Sequence, residues 1–133
     1  MKTLFQLLLC TLLLTACKKE TQTTTTAAAN ATVVRSGTFV QNSHKASGTV
    51  KITSEQGFRK LYFENFATDA GANVHIYLSK DATNSDFKDL GGLQAISGNQ
   101  VYQVDNNTDL NLYKFVLIWN VPTSELYGYS ELK

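Results

Sequence analysis

The stretch GTVKITSEQGFRKLYFENF, residues 48–66, decides the fold class of this chain. In its first half, apolar residues alternate with threonine and lysine, which is the period-two pattern of a half-buried β-strand. Residues 58–66 form a second strand of the same kind, and the Gln56-Gly57 step between the halves is typical of a hairpin turn. The side chains expected to face inward are Val50, Ile52, Leu61 and Phe63.

Further segments of the chain carry strand patterns. Residues 73–78 would place Val74, Ile76 and Leu78 on one face, while residues 113–119 are almost entirely apolar, as in a central strand covered on both faces. Residues 100–104 and 124–132 are the remaining predicted strands. Turn-forming Gly, Asn, Asp and Ser residues separate the strands at 69–71, 81–86, 91–92, 97–99 and 105–109.

No segment has a helical period, so the predicted fold is all-β. We expect a single antiparallel two-sheet β-sandwich, jelly-roll or immunoglobulin-like, over residues 33–133. In such a fold, the aromatic residues expected in the core are Tyr77, Tyr102, Phe115 and Trp119.

The N-terminus predicts export and lipid anchoring. Lys2 precedes an apolar run, residues 4–14, that is too short to span a bilayer and matches the hydrophobic region of a signal peptide. Residues 13–17, Leu-Leu-Thr-Ala-Cys, resemble the bacterial lipobox, which implies cleavage after residue 16 and lipid on Cys17. Residues 17–32 would then be the lipidated cysteine and a flexible tether. The expected location is the cell envelope, at the outer membrane, since Lys18 replaces the Asp that retains lipoproteins at the inner membrane of enteric bacteria.

Charge and cysteine content restrict the function further. Twelve Lys and Arg residues balance eleven Asp and Glu residues, so the chain lacks the basic surface that nucleic-acid binding requires. The two cysteines are Cys10, which would leave with the signal peptide, and Cys17. The predicted domain therefore contains no thiol for a disulfide or for thiol redox chemistry.

Four groups of residues in order along the domain resemble the DM-thirteen domain, a family also labelled as an electron-transfer domain. They are residues 37–39 with 44–50, residues 71–79, residues 90–91 with 98–102, and residues 116–119 followed by 126–132. The resemblance implies a redox role, for which the family commonly has a Cys directly after the Ile-Trp pair. Here that position is Asn120, which argues against a cysteine-based redox role, and Ala72 replaces a usual proline.

Two kinds of candidate site residue remain. His44 and His75 are the only histidines and are candidate haem or metal ligands. The alternatives are that His44 braces a polar loop and that His75 forms hydrogen bonds on the sheet surface. Tyr127 and Tyr129 would share one face of the last strand, where they could stack on a ligand.

Residues 81–89 and 105–109 place oxygen ligands as calcium loops do, but the second loop lacks the required glycine, and Asx-rich turns are favoured. The sequence has no catalytic signature such as Gly-x-Ser-x-Gly or His-Glu-x-x-His. The leading hypothesis is therefore a lipid-anchored, non-catalytic binding or scaffold module without a cofactor, whose partner is an envelope protein or a glycan. The alternative is an electron-transfer module that binds haem or a metal, as the resemblance implies.

Overall fold

A computed structural model describes residues 26–133 of the chain. Within these residues the secondary structure consists of strands and turns, and no helix is long and apolar enough to cross a bilayer. The strands are β1 (Thr32–Thr38), β2 (Val40–Gln41), β3 (Ala46–Glu55), β4 (Phe58–Thr68), β5 (Val74–Ser79), β6 (Phe87–Gly92), β7 (Ser97–Val104), β8 (Phe115–Asn120) and β9 (Glu125–Glu131).

The strands form the predicted two-sheet antiparallel sandwich. One sheet has four strands in the order β1-β3-β4-β7, and the other has five in the order β2-β9-β8-β5-β6. The chain passes from the first sheet to the second at Phe39, which is buried between β1 and β2. The Phe39 ring packs edge-on against Phe63 and Phe66, with centroids 4.9 and 5.3 Å apart, so the crossing is fixed by the core.

The hairpin that decided the fold class is confirmed. Glu55 pairs with Phe58 across a two-residue turn, and Gln56 and Gly57 both have positive φ, 49° and 83°, as a type I′ turn requires. The predicted inward-facing residues are fully buried: Val50, Ile52, Leu61 and Phe63.

Three strands were not predicted, namely β1, β2 and β6. Gly91 and Gly92 do not separate strands but end β6, and residues 97–99 begin β7. His75 pairs with Gly92 and Tyr77 with Asp89, so β6 holds an extra residue, and Gly91 has the positive φ (111°) found at such bulges. The glycines at positions 91, 92 and 98 therefore lie within strands, although the sequence predicted turns there.

Candidate functional site

The outer faces of the two sheets differ in chemistry. The four-stranded sheet carries ion pairs on its outer face, where Lys60 Nζ lies 3.1 Å from Glu55 and Lys51 pairs with Glu64. The five-stranded sheet carries rings on the corresponding face. No helix or third sheet packs on that face among residues 26–133, and four of the rings keep exposed surface there, those of Phe87, Phe115, Trp119 and Tyr129.

This surface, called the aromatic face below, follows from the strand register. In β5 and β8, residues such as Ile76 and Ile118 face the core, which leaves the alternate residues outside. Leu117 lies at the centre, with Tyr77 on one neighbouring strand and Tyr129 on the other. The aromatic face consists of Tyr77, Phe87, Phe115, Leu117, Trp119 and Tyr129.

The rings of the aromatic face form two clusters. Tyr77 stacks on Phe87 at a centroid distance of 4.0 Å and is nearly parallel to Trp119, 6.3 Å away. Phe115 and Tyr129 form the second cluster, also 6.3 Å apart. Burial and the nearby Asp89 carboxylate raise the pKa of Tyr77, so the phenol stays neutral at physiological pH.

The prediction that Phe115 and Trp119 belong to the core is wrong, because both are only half-buried, while Tyr102 does lie in the core. Tyr77 is buried as predicted, but outside the cluster between the two sheets. The cause is the continuous apolar run at 113–119, which has no alternation that could separate an inner from an outer face. The prediction that this run is a central strand is confirmed, because β8 is the middle strand of its sheet.

A row of polar side chains borders the aromatic face. His75 Nδ1 lies 2.8 Å from Asp89 Oδ2, and its Nε2 lies 3.0 Å from Asn73 Oδ1. The backbone N–H of Gly91 donates to Asp89 Oδ1, which fixes the carboxylate. Because His75 is the cross-strand partner of Trp119, the polar row and the rings are direct neighbours.

A second group of predicted residues meets at one end of the sandwich and is called the end cluster below. Asn120, where the resemblance implies a cysteine, is buried, and its Nδ2 donates a 2.9 Å hydrogen bond to Tyr127 Oη. The Tyr127 hydroxyl in turn donates to Ala70 O at 3.5 Å. This position thus ties the β8–β9 hairpin to the loop between β4 and β5.

His44 extends this end cluster to the surface. Its ring lies on the Tyr127 ring with centroids 3.9 Å apart, and Asp69 and Glu125 each approach one ring nitrogen at 3.3 Å. The backbone N–H of Lys45 and the His44 side chain both hydrogen-bond to Asp69 and lower the pKa of its carboxyl group. His44 thereby links its own loop to the loop between β4 and β5 and to the start of β9, which agrees with its loop-bracing alternative.

The two histidines do not fit a shared haem. His75 projects from the outer face of the five-stranded sheet, whereas His44 lies on Tyr127, a residue of the core. Each ring nitrogen of both residues also has an oxygen partner within 3.3 Å, which leaves none directed at a common ligand. The flanking Asp69 and Glu125 approach different nitrogens of His44, so these groups do not converge on one ion.

The candidate calcium loops are turns held by their own hydrogen bonds. Asp81 accepts hydrogen bonds from Ser85 and Thr83, which lower the pKa of its carboxyl group to about 2. Asp105 and Asp109 each accept a backbone N–H two residues later, the Asx-turn pattern. Across residues 26–133, no three His, Cys, Asp or Glu side chains are grouped to hold a metal ion.

Tyr127 and Tyr129 do not share one face, contrary to the prediction. The register of β8 and β9 shifts so that Ile118 pairs with Gly128 and Trp119 with Leu126, leaving Tyr127 as an unpaired bulge residue. Tyr127 is consequently turned into the core, while Tyr129 stays on the aromatic face. Cys17, the predicted lipidation site, lies outside the described residues.

Comparison with known proteins gives the family. The family model described as Electron transfer DM13 matches residues 38–132, which include all of β2 to β9. Searches of curated proteins and of solved structures gave no significant match. The matched region covers most of the chain and contains both the end cluster and the aromatic face. The chain belongs to the electron transfer DM13 family.

Proposed function

We propose that this protein is a non-catalytic binding module of the bacterial cell envelope, and that it binds its partner through the aromatic face. The observation that carries the proposal is the contrast between the two outer faces. One carries ion pairs around the buried Tyr62, and the other exposes parts of four rings around the buried Leu117 and Tyr77, namely Phe87, Phe115, Trp119 and Tyr129. An apolar surface of this kind on a small domain marks an interaction site.

The end cluster supports a binding role over a thiol-based redox role. The Asn120 amide donates a hydrogen bond to the Tyr127 hydroxyl and accepts one, at 3.4 Å, from the N–H of Thr123. Both ends of the amide therefore have a partner within the domain, and the side chain presents no reactive group. Residues 18–133 contain no cysteine. The thiol chemistry that the resemblance implies is therefore not carried by this domain, and its histidines do not fit a shared haem.

The proposed location rests on the N-terminal sequence. Cys17 would receive lipid after export, and two or more acyl chains on one residue give stable anchoring without a transmembrane helix. The chain between Cys17 and β1 would span on the order of 20 Å as a flexible tether. That distance leaves the aromatic face free to contact envelope components near the membrane, which we take to be the outer membrane.

A sedimentation assay tests the binding role. Residues 18–133, which carry no lipid, are mixed with isolated cell envelopes, and the fraction that sediments is measured against protein concentration. We expect saturable binding that weakens by about tenfold or more in Phe87→Ser and Trp119→Ser, as for aromatic residues at the centre of an interface. Phe87 is 40% exposed, so its replacement should leave the fold intact.

Gln103→Ser is the matched control, because Gln103 is exposed on the outer face of the four-stranded sheet. Equal binding by the wild type and both ring variants, at unchanged melting temperature, would show that the aromatic face is not the binding surface.

The anchor is tested separately in the full chain. Labelling of cells with a radioactive fatty acid should mark the wild type and not Cys17→Ala, and an unlabelled wild type would exclude the lipid anchor.

A further inference from the structure

We propose that the ligand of the aromatic face is a neutral polysaccharide, whose sugar rings lie on Trp119 and Phe87 and whose hydroxyl groups bind Asn73, His75 and Asp89. This inference rests on the proposed binding function and adds the chemical class of the ligand. A pyranose ring has an apolar face of C–H groups and a rim of hydroxyl groups. It therefore requires aromatic surface and planar polar side chains side by side.

The aromatic half of this requirement is a strip of similarly oriented rings. The rings of Phe87 and Trp119 are inclined to the Tyr77 ring by only 16° and 23°. Trp119 and Phe87 retain exposed surface, since the first is half-buried and the second is exposed. Tyr77 is buried and lies between them on β5, so Phe87 and Trp119 are the rings that can contact successive units of a chain. Aromatic contacts contribute beyond the area that they bury.

The polar half is the row Asn73–His75–Asp89. Each of these groups is planar, and the row is pre-ordered by contacts of 3.0 and 2.8 Å. The row retains binding capacity at its two ends, because Asn73 is exposed and the Asp89 side chain is 44% exposed. Groups that are already held in place lose little conformational entropy when they bind hydroxyls.

A groove continues the surface beyond the polar row. It has a volume of about 410 Å³ and is lined by Gly71, Asn73, Val74 and Gly92 as well as by residues 93–96. Asn73 thus borders both the groove and His75, and Gly92 is the cross-strand partner of His75. The groove is within the size range of small-molecule sites, which suits an additional sugar unit at the end of the strip.

The charges of this region favour a neutral ligand. Asp89 is the acceptor that faces the strip, and a carboxylate binds hydroxyl groups but repels acidic sugars. The nearest lysine along the chain, Lys88, places its Nζ 5.1 Å from the centroid of the Tyr113 ring and does not pair with Asp89. His75 is already paired with Asp89. Among the described residues, the row therefore has no unpaired cationic side chain that could bind the carboxylate of a uronic acid.

Tryptophan fluorescence tests the inference, since Trp119 is the only tryptophan of the chain. The full-length protein, in a detergent without a sugar head group, is titrated with cellohexaose, chitohexaose and the acidic polymer alginate. We expect a saturable change in emission with a neutral oligosaccharide and none with alginate. Asp89→Asn and Asn73→Gly should weaken the binding by about tenfold, because the first replaces a charged acceptor of the ligand's hydroxyl groups with a neutral one and the second removes an amide that binds them.

The control variant is again Gln103→Ser, which should bind as the wild type does. If neither neutral oligosaccharide changes the emission while the domain still sediments with envelopes through Phe87 and Trp119, the polysaccharide inference is wrong and the binding function stands. If both assays are negative, the binding function fails as well. Binding that is unaffected by Asp89→Asn and Asn73→Gly would overturn the assigned site.

Discussion

Replacing Gly48 with alanine should destabilise the domain by about 3–5 kcal/mol, the sum of backbone strain and overpacking. Gly48 has a φ of 104°, and an added Cβ would lie 2.7–2.8 Å from Glu64 O, Asn65 O and Phe66 Cα. These neighbours are backbone atoms of β4 and cannot rotate away. The Gly48 carbonyl also accepts the N–H of Phe39 at 3.0 Å, so the crossing between the sheets would be disturbed too.

Gly98→Ala is the control for this variant. Gly98 lies in the same sheet with a φ of 92°, but no heavy atom lies within 4 Å of its ideal Cβ position. It should therefore show only the strain of the positive φ, about 1–2 kcal/mol. Urea unfolding followed by circular dichroism gives both free energies of unfolding. A loss from Gly48→Ala no larger than that from Gly98→Ala would contradict the close packing of Gly48 against β4.

The second prediction concerns Gly71, and Gly71→Ala should cost about 1–3 kcal/mol through overpacking. A Cβ at Gly71 would overlap Tyr127 Oη and lie 2.9 Å from Val74 Cγ2 and 3.0 Å from Asn120 Nδ2. Tyr127→Phe alone should also destabilise, by about 1–3 kcal/mol, because it leaves the buried Asn120 amide without its acceptor.

The two substitutions should compensate each other when combined. Tyr127→Phe removes the hydroxyl oxygen that the Cβ added by Gly71→Ala would overlap. The double variant should therefore lose less stability than the sum of the single losses, by about 1 kcal/mol or more. Thermal or urea unfolding of the four proteins in the cycle measures this coupling. Strict additivity would show that Gly71 is not needed for the contact with Tyr127.

Much of the sandwich could be predicted because six strands carry a local signal. The β3–β4 hairpin combines alternation with a Gln-Gly turn, and β8 is long and apolar enough to be recognised as central. In contrast, β2 has only two residues, and β6, with the sequence FKDLGG, has few strand-forming residues. Both depend on the neighbouring strands β9 and β5 for their hydrogen bonds, and that pairing is not visible in a single segment.

The site was predicted only in part. His44, Asn120 and Tyr127 were each noticed, but their meeting at one end of the sandwich depends on the pairing of distant strands. The bulge at Tyr127 defeats the period-two pattern, because one extra residue reverses the face of every residue that follows. The contact between His75 and Asp89 depends in the same way on the bulge at Gly91.

The aromatic face was missed because its residues are as apolar as the core. Hydrophobicity alone placed Trp119 and Phe115 inside, and only the register with β5 and β9 assigns them to the outer face. Because Trp119 and Phe115 lie on the outer face, the domain has one apolar outer face where a sandwich with two polar outer faces would have none. The central claim is that this surface, rather than the end cluster or the opposite sheet, contacts the partner.

Photo-cross-linking in cells tests that claim most directly. The photoreactive residue p-benzoylphenylalanine replaces Phe87 on the aromatic face, Lys45 at the end cluster or Gln103 on the opposite sheet; all three positions are exposed. Irradiation of cells that carry the full chain is followed by electrophoresis of the cross-linked products. The account predicts an adduct from position 87, spread over higher masses when the partner is a polysaccharide, and none from positions 45 and 103. Adducts from position 45 or 103, with none from position 87, would contradict it.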